Sequence, residues 1–202
     1  MGAVADPGDL AGDLDARLAA AAERVGHASR VLLRAAAARH GLSIIQAQLL
    51  SQIVAAPDES SMTSLTARYD VRQPTISDAI SALQRKGLLV KTRQGRQQRL
   101  GATDAGYAVV AELASWDGPL RAAIRDQSEQ AKGEALQLLL TVIAELQATG
   151  VITVARSCTS CRFFRPDSHV HGGQPHYCAL LKLPLRQIDL RLDCPEHQPV
   201  PA

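Results

Sequence analysis

The stretch from Ser61 to Asp104, SMTSLTARYDVRQPTISDAISALQRKGLLVKTRQGRQQRLGATD, restricts the fold more than any other part of this chain. Ile76, Ala79, Ile80 and Leu83 recur at intervals of three and four, so on a 3.6-residue helix they share one inward face. Pro74, Ser77, Asp78, Ser81 and Arg85 then occupy the other side. Proline is compatible only with a first helical turn, where no intrahelical hydrogen bond is lost, so the helix is predicted to start near Arg72 or Gln73. Gly87 is predicted to close it. Thr63 to Tyr69 reads as a shorter supporting helix, with Leu65 and Tyr69 on its buried side.

After Gly87, Leu88 to Val90 is extended in composition, Gln94 and Gly95 suit a turn, and Gln97 to Leu100 can pair back. This hairpin carries Lys91, Arg93, Arg96 and Arg99 with no acid between them. Residues 61 to 104 hold eight basic and three acidic side chains, a charge of +5, whereas the whole chain is +2. The rest therefore sums to −3, and positive charge is concentrated on the motif. A charge run alone is often only a solvated face, but a helix pair followed by a basic hairpin is a winged helix-turn-helix pattern. It predicts a surface for duplex DNA, with the N-terminal end of the second helix in the major groove and the hairpin on phosphate or minor groove. The candidate contact residues are Arg72, Gln73, Pro74, Thr75, Ser77, Asp78, Ser81 and Arg85 on the helix, and Lys91, Arg93, Arg96 and Arg99 on the wing.

The remaining N-terminal two-thirds reads as helix. Residues 1–12 are rich in Gly, Ala and Asp and are expected to be disordered. Leu14, Leu18, Ala21, Val25, Ala28 and Leu32 then step by four and three, the seam of a helix packed along another helix, and Gly41 ends it. Ser43 and Gln46 form a capping box that opens a helix burying Ile45, Leu49 and Ile53. Ala55 to Ser60 reads as a polar loop. Beyond the hairpin, Thr103 caps a helix with Tyr107, Val110 and Leu113. Ser115 to Pro119 interrupts it, and Leu120 to Gln127 forms a further turn or two. A long helix from about Gln130 to Thr149 presents Leu136, Leu139, Leu140, Ile143 and Leu146, and stops at Gly150. With only six aromatic residues in 202, the core must be built from aliphatic side chains. No apolar run approaches 18 residues, and no basic-then-apolar leader is present, so a cytoplasmic protein without membrane contact is expected.

In SLTARYDVRQPTISDAISALQRKGLL and TRQGRQQRLGATDAG the chain resembles the MarR family of winged-helix regulators, over about residues 14 to 152. The resemblance implies a mainly α fold. Residues 13–152 would form the DNA-binding and dimerisation domain, with a winged-helix core at 43–103 and a helical lobe that pairs two subunits through their N- and C-terminal helices. Such a dimer would set two recognition helices about one DNA turn (~34 Å) apart, on a near-palindromic site. Two positions depart from the family's pattern. Arg72 stands where a capping Ser or Thr is common, so its side chain cannot cap the helix, and Gln94 stands where an Asp often precedes the wing glycine. Asp78 is unexpected on a DNA-facing surface. It either accepts from a cytosine amino group or orients Arg72 or Arg85.

Composition changes after Gly150. Residues 151–202 hold all four cysteines, four of six histidines and six of ten prolines, and apolar periodicity disappears. Fifty such residues cannot easily fold by core burial alone, so a small irregular segment, 153–202, ordered by a metal is expected. The spacing Cys158-x2-Cys161-x16-Cys178-x15-Cys194 supplies four thiolates, a ligand set for Zn²⁺. An iron–sulfur cluster is the alternative, and Cys194-Pro195 echoes the end of ferredoxin ligand runs. His176 or His197 could replace one cysteine, whereas His169 and His171 read as loop residues. A reactive Cys158–Cys161 dithiol is the competing chemistry, but no βαβ pattern surrounds the pair. A subset of MarR-type regulators resembles this tail too, in its C-x2-C-x-x-F pair and an ending like DLRLDCPEH.

These readings converge on a homodimeric, sequence-specific DNA-binding regulator, expected to repress, with no catalytic residues and with a small-molecule or redox effector. The metal segment follows the long helix by eight residues, so metal loss or oxidation could shift that helix; a purely structural metal is the simpler alternative. A thiol or metal-dependent oxidoreductase is the rival from another class. It lacks a scaffold, and four thiolates leave zinc no open position for water. A zinc-dependent protein-interaction module is the third.

Overall fold

Helix and strand form here where the spacing of apolar side chains lets one face be buried. The computed structural model describes residues 13–94, 97–168 and 173–200; the stretch expected to be disordered, 1–12, lies outside them. In chain order the elements are α1 (Leu14–Ala38), α2 (Ile44–Ala55), α3 (Met62–Tyr69), α4 (Gln73–Arg85), β1 (Leu89–Gln94), β2 (Gln97–Ala102), α5 (Asp104–Leu113), α6 (Gly118–Arg125), α7 (Glu129–Ala148), β3 (Phe164–Arg165), β4 (His176–Cys178) and β5 (Leu183–Leu185). Single 3-10 turns lie at Pro57–Glu59, Cys158–Ser160 and Gln187–Asp189. Two compact units result, Met1–Ser61 with Ile76–Arg121, and Met62–Thr75 with Ala122–Ala202.

In the first unit α2 is the central element and packs against α1, α5 and β2. Its start is fixed by the predicted capping box, in which the Ser43 hydroxyl accepts from the Gln46 amide and the Gln46 side chain accepts from the Ser43 amide. Leu49, Leu50 and Ile53 of α2 are fully buried, as are Ile76 and Leu83 of α4 and Leu89 of β1. Gly87 adopts φ +70°, the left-handed conformation in which α4 can end without a Cβ clash. The Thr103 hydroxyl accepts from the Gly106 amide at 3.0 Å, capping α5, and donates to the Gly87 carbonyl at 2.7 Å. One side chain thus ties the end of α4 to the start of α5. A Cβ on Gly106 would lie 2.2 Å from the Leu88 carbonyl oxygen, so the chain passes here only because position 106 has none.

Helix α6 begins two residues earlier than the sequence suggested. Gly118-Pro119 has the composition of a break, but proline fits a first helical turn, and Asp117 accepts from Arg121 Nε at 2.7 Å just ahead of it. Gln94, expected in the hairpin turn, is the last residue of β1 and pairs with Gln97.

The second unit is poor in apolar burial. Among the described residues its buried set is Leu65, Gly133, Leu140, Ala155 and Leu190 together with the polar Ser157, Ser160 and His176. The tail is mostly irregular, as expected, and carries one small three-stranded antiparallel sheet in the order β3-β4-β5. It is joined to α7 by the Thr159 hydroxyl, which donates to the Leu140 carbonyl at 2.7 Å, and by a hydrogen bond of 2.8 Å that Gln187 Nε2 donates to Gln137 Oε1. Gly133 permits this approach, since a Cβ there would stand 3.1 Å from Gln187 Cβ. The tail also holds α3. Asp193 pairs with Arg68, and the Asp70 carboxylate, at the left-handed end of α3, accepts from the Thr153 amide at 2.9 Å.

Candidate functional site

Helix α4 divides as its periodicity predicts. Ile76, Ala79, Ile80 and Leu83 are buried; Gln73, Pro74, Thr75, Ser77, Asp78 and Arg85 are exposed, with Arg72 exposed just ahead and Ser81 half-buried. The exposed side therefore offers hydroxyl, amide, carboxylate and guanidinium groups near the helix N-terminus. These are the groups that read base edges. Among the described residues Asp78 makes no ion pair with Arg72 or Arg85, which leaves its carboxylate directed to solvent.

The wing is antiparallel, with Lys91 opposite Leu100 and Arg99 opposite Thr92. Successive residues on a strand point to opposite faces, so Lys91 and Arg99 are on different sides of the hairpin. Lys91 is exposed. Arg99 is instead ion-paired with Asp58 of the Pro57–Glu59 turn, an acid 41 residues away that no local pattern links to it. Arg93 lies in β1, opposite Gln98, but its side chain is outside the described residues, as is the whole of Arg96. Lys86, counted in the basic run, reaches the Gly41 carbonyl and the Gln46 side chain, the latter at 3.2 Å.

In the tail the four cysteines come together. Cys158 opens the 3-10 turn, Cys161 follows it, Cys178 ends β4 and Cys194 lies in the last loop; all four are half-buried free thiols. They line one cavity of about 30 Å³, shared with Phe163, Phe164, Leu180, Leu181, Leu185 and Glu196. Burial pushes the Cys158 thiol above its ordinary range, the Arg191 amide opposes this, and the other three thiols add to it. That amide donates to Cys158 Sγ at 3.2 Å, and the Arg191 guanidinium reaches Cys194 Sγ at 3.9 Å. Donors aimed at sulfur suit thiolates that carry charge. Among the described residues, however, no group of three or more His, Cys, Asp or Glu side chains is arranged to hold a metal ion.

Neither candidate histidine lines the cavity. His176 is buried beside Phe164, with ring centroids 5.2 Å apart, and its Nδ1 accepts from the Asp167 amide at 3.4 Å. His197 Nε2 lies 3.0 Å from the Ser160 hydroxyl and 3.1 Å from the Ser160 carbonyl. His169 and His171 are outside the described residues. No helix among the described residues is long and apolar enough to cross a membrane.

Residues 40–100 match the family model of the MarR family. No curated protein matches the chain in sequence. Among solved structures the chain is similar to MarR of Staphylococcus aureus in complex with salicylate and kanamycin. That match has 16% identity and a TM-score of 0.58, over 67% of this chain and 93% of that one. It is similar to the MepR–DNA complex of S. aureus, at 18% identity and TM-score 0.55, over 62% and 93%. A third is CouR of Rhodococcus jostii RHA1 bound to p-coumaroyl-CoA, at 16% identity and TM-score 0.56, over 65% and 94%. At these identities the structures speak for the fold, a winged helix-turn-helix with helical flanks. The MarR family is one of transcription regulators, not of enzymes.

Proposed function

From a chain that carries the MarR-family winged helix over residues 40–100, we propose a homodimeric, sequence-specific DNA-binding transcriptional repressor with a metal centre in its cysteine tail. The observation that carries this reading is the exposed polar row of α4, from Gln73 to Arg85, backed by a buried aliphatic row. Arg72, Gln73, Thr75, Ser77, Asp78 and Arg85 read base edges in the major groove, with Pro74 and Ser81 at the margins of the contact. Lys91, with Arg93 and Arg96, neutralises phosphates. Arg99 contributes there only by leaving Asp58, so its part is smaller than its place in the basic run implies.

Pairing of two chains is supported by apolar side chains left exposed on the flanking helices. On α1 these are Leu14, Leu18 and Val25; on α7 they are Leu138, Leu139, Val142 and Leu146. Stripes of this kind on a single chain mark surfaces that another molecule covers. The salicylate and p-coumaroyl-CoA complexes of similar structures support a small-molecule effector that carries an aromatic ring. The metal is held by Cys158, Cys161, Cys178 and Cys194, with zinc as the expectation from cysteine spacing.

The test is a gel-shift series on the full chain with palindromic and scrambled duplexes at increasing salt. Preference for a palindrome, and a log-log salt slope of about −0.9 per neutralised phosphate, are expected. Equal affinity for both duplexes with no salt dependence would overturn the reading.

A further inference from the structure

We propose that Asp70 is a positioning residue for base reading, and that the C-terminal tail, through the Thr153 amide, holds the turn that aims the first residues of α4. This rests on the reading of α4 as the helix that enters the major groove. Only Asp70, Val71 and Arg72 separate α3 from α4. Their dihedral angles decide where Gln73 and Thr75 point, because a helix runs in the direction its first turn sets.

The local sequence fixes this turn weakly. A turn between two such helices often carries a glycine. Asp70 stands there with φ +49°, a left-handed conformation that costs any residue with a Cβ and persists where the surroundings hold it. A side-chain cap is no help either, since Arg72, just ahead of α4, has no acceptor to offer the first helical amides. Within the turn, the Thr75 amide bonds the Arg72 carbonyl at 3.0 Å, and the Asp70 amide reaches the Ala67 carbonyl only at 3.4 Å.

What holds the turn lies 83 positions further along the chain. The Asp70 carboxylate accepts from the Thr153 amide at 2.9 Å. Two residues before it Arg68 pairs with Asp193, a carboxylate that Arg156 also approaches at 3.4 Å. The tail therefore takes hold at the end of α3 and again at the turn, and residues 62–75 fall in the same compact unit as the tail. Arg72, Gln73, Pro74 and Thr75 remain exposed, so the backbone is held while these side chains stay open to a ligand. One exposed hydrogen bond contributes modestly, but it acts on a turn with little preference of its own. Lys91 of the wing belongs to the other unit. Since phosphate contacts carry no sequence information and base contacts do, loosening the turn should cost discrimination and spare the salt dependence.

Two quantities are measured on the full chain: the ratio of affinities for palindromic and scrambled duplex, and amide hydrogen exchange in residues 71–75. Asp70→Gly keeps the left-handed turn accessible and removes the acceptor. It should lower the ratio about tenfold or more, as loss of one base contact per half-site would, and speed exchange, with salt slope and helical circular dichroism unchanged. Asp70→Asn keeps both an acceptor and tolerance of that conformation, and should behave as wild type. Thr153→Pro removes the donor from the tail side. It should reproduce Asp70→Gly, and the double variant should be no worse than either single one, because both break the same bond. Unchanged exchange in Asp70→Gly, or an asparagine variant as impaired as the glycine one, would overturn the proposal. So would Thr153→Pro with both readouts at wild-type values, since the glycine's own freedom would then account for its effect. A wild-type chain with no preference for the palindrome, but with exchange that rises in both variants, would overturn the DNA reading and leave the tail's hold on the turn standing.

Discussion

Asp78 and Gly106 sit in the same motif and are constrained for opposite reasons. Gly106 is fixed by contact: any side chain there meets the Leu88 carbonyl, with a Cβ at 2.2 Å. Gly106→Ala must displace either the start of α5 or the end of the α4–β1 connection. A destabilisation of about 1–3 kcal/mol, the range for overpacking, is expected from urea melts. Asp78 is constrained by chemistry. If α4 faces DNA as proposed, an exposed carboxylate there repels phosphate, and no ion pair among the described residues neutralises it, so its role under that proposal is acceptance from a cytosine amino group. Asp78→Ala is expected to lose about 1–3 kcal/mol of discrimination at one base pair per half-site, measured by competition among single-base operator variants. Uniform gain in affinity across those variants would mean that the carboxylate only repels. Lys91→Ala should instead weaken all sequences alike and flatten the salt slope by about 0.9 per subunit.

At the scale of elements, local pattern located α2, α4, the wing and α7, because caps and apolar spacing are written in neighbouring residues. Ser43 with Gln46 and Thr103 with Gly106 were legible for that reason. Contacts between distant segments were not. Arg99 reads as one more wing cation until the fold brings Asp58 to it, and nothing near Arg68 announces Asp193, 125 positions away. The four cysteines do line one cavity, but the apolar residues that share its wall were not legible, since spacing counts residues and not ångströms. The Arg68 contact changes how the tail can act. Sequence order suggested an influence through α7, and the structure adds a direct tie to α3, the helix that precedes α4. Asp193 adjoins Cys194 and also faces Arg156 at 3.4 Å. Asp193→Asn keeps every cysteine and removes only this charge. The pair is partly solvent-screened, so the loss is on the order of 1 kcal/mol or less. Hydrogen exchange of amides in residues 62–69 should rise severalfold while helical circular dichroism stays unchanged; unaltered exchange would show that α3 does not depend on the tail.

Across the whole molecule, the decisive surface is apolar. Leu139 of α7 is 52% exposed although that helix buries Gly133 and Leu140 on its other side, and Leu18 of α1, 46% exposed, lies in a stretch from Leu14 to Val25 that is exposed all round. Exposed leucines at single positions need no explanation, but a helical row of them does. In a two-fold dimer each such residue is buried twice, once on each subunit, so a charge placed there is desolvated twice. An unpaired buried carboxylate costs several kcal/mol, enough to separate a dimer of moderate affinity. In the isolated chain the same carboxylate stays in water and costs little. Leu139→Asp and Leu18→Asp should therefore leave helical content intact while light scattering on a sizing column shifts from dimer to monomer. Operator binding should fall by orders of magnitude because two half-sites are no longer joined, whereas weak, salt-sensitive binding to a single half-site should persist through α4 and the wing. A variant that remains dimeric with aspartate at both positions would mean that these rows are not the pairing surface, and one that loses half-site binding as well would mean that the exposed row of α4 depends on them for its fold.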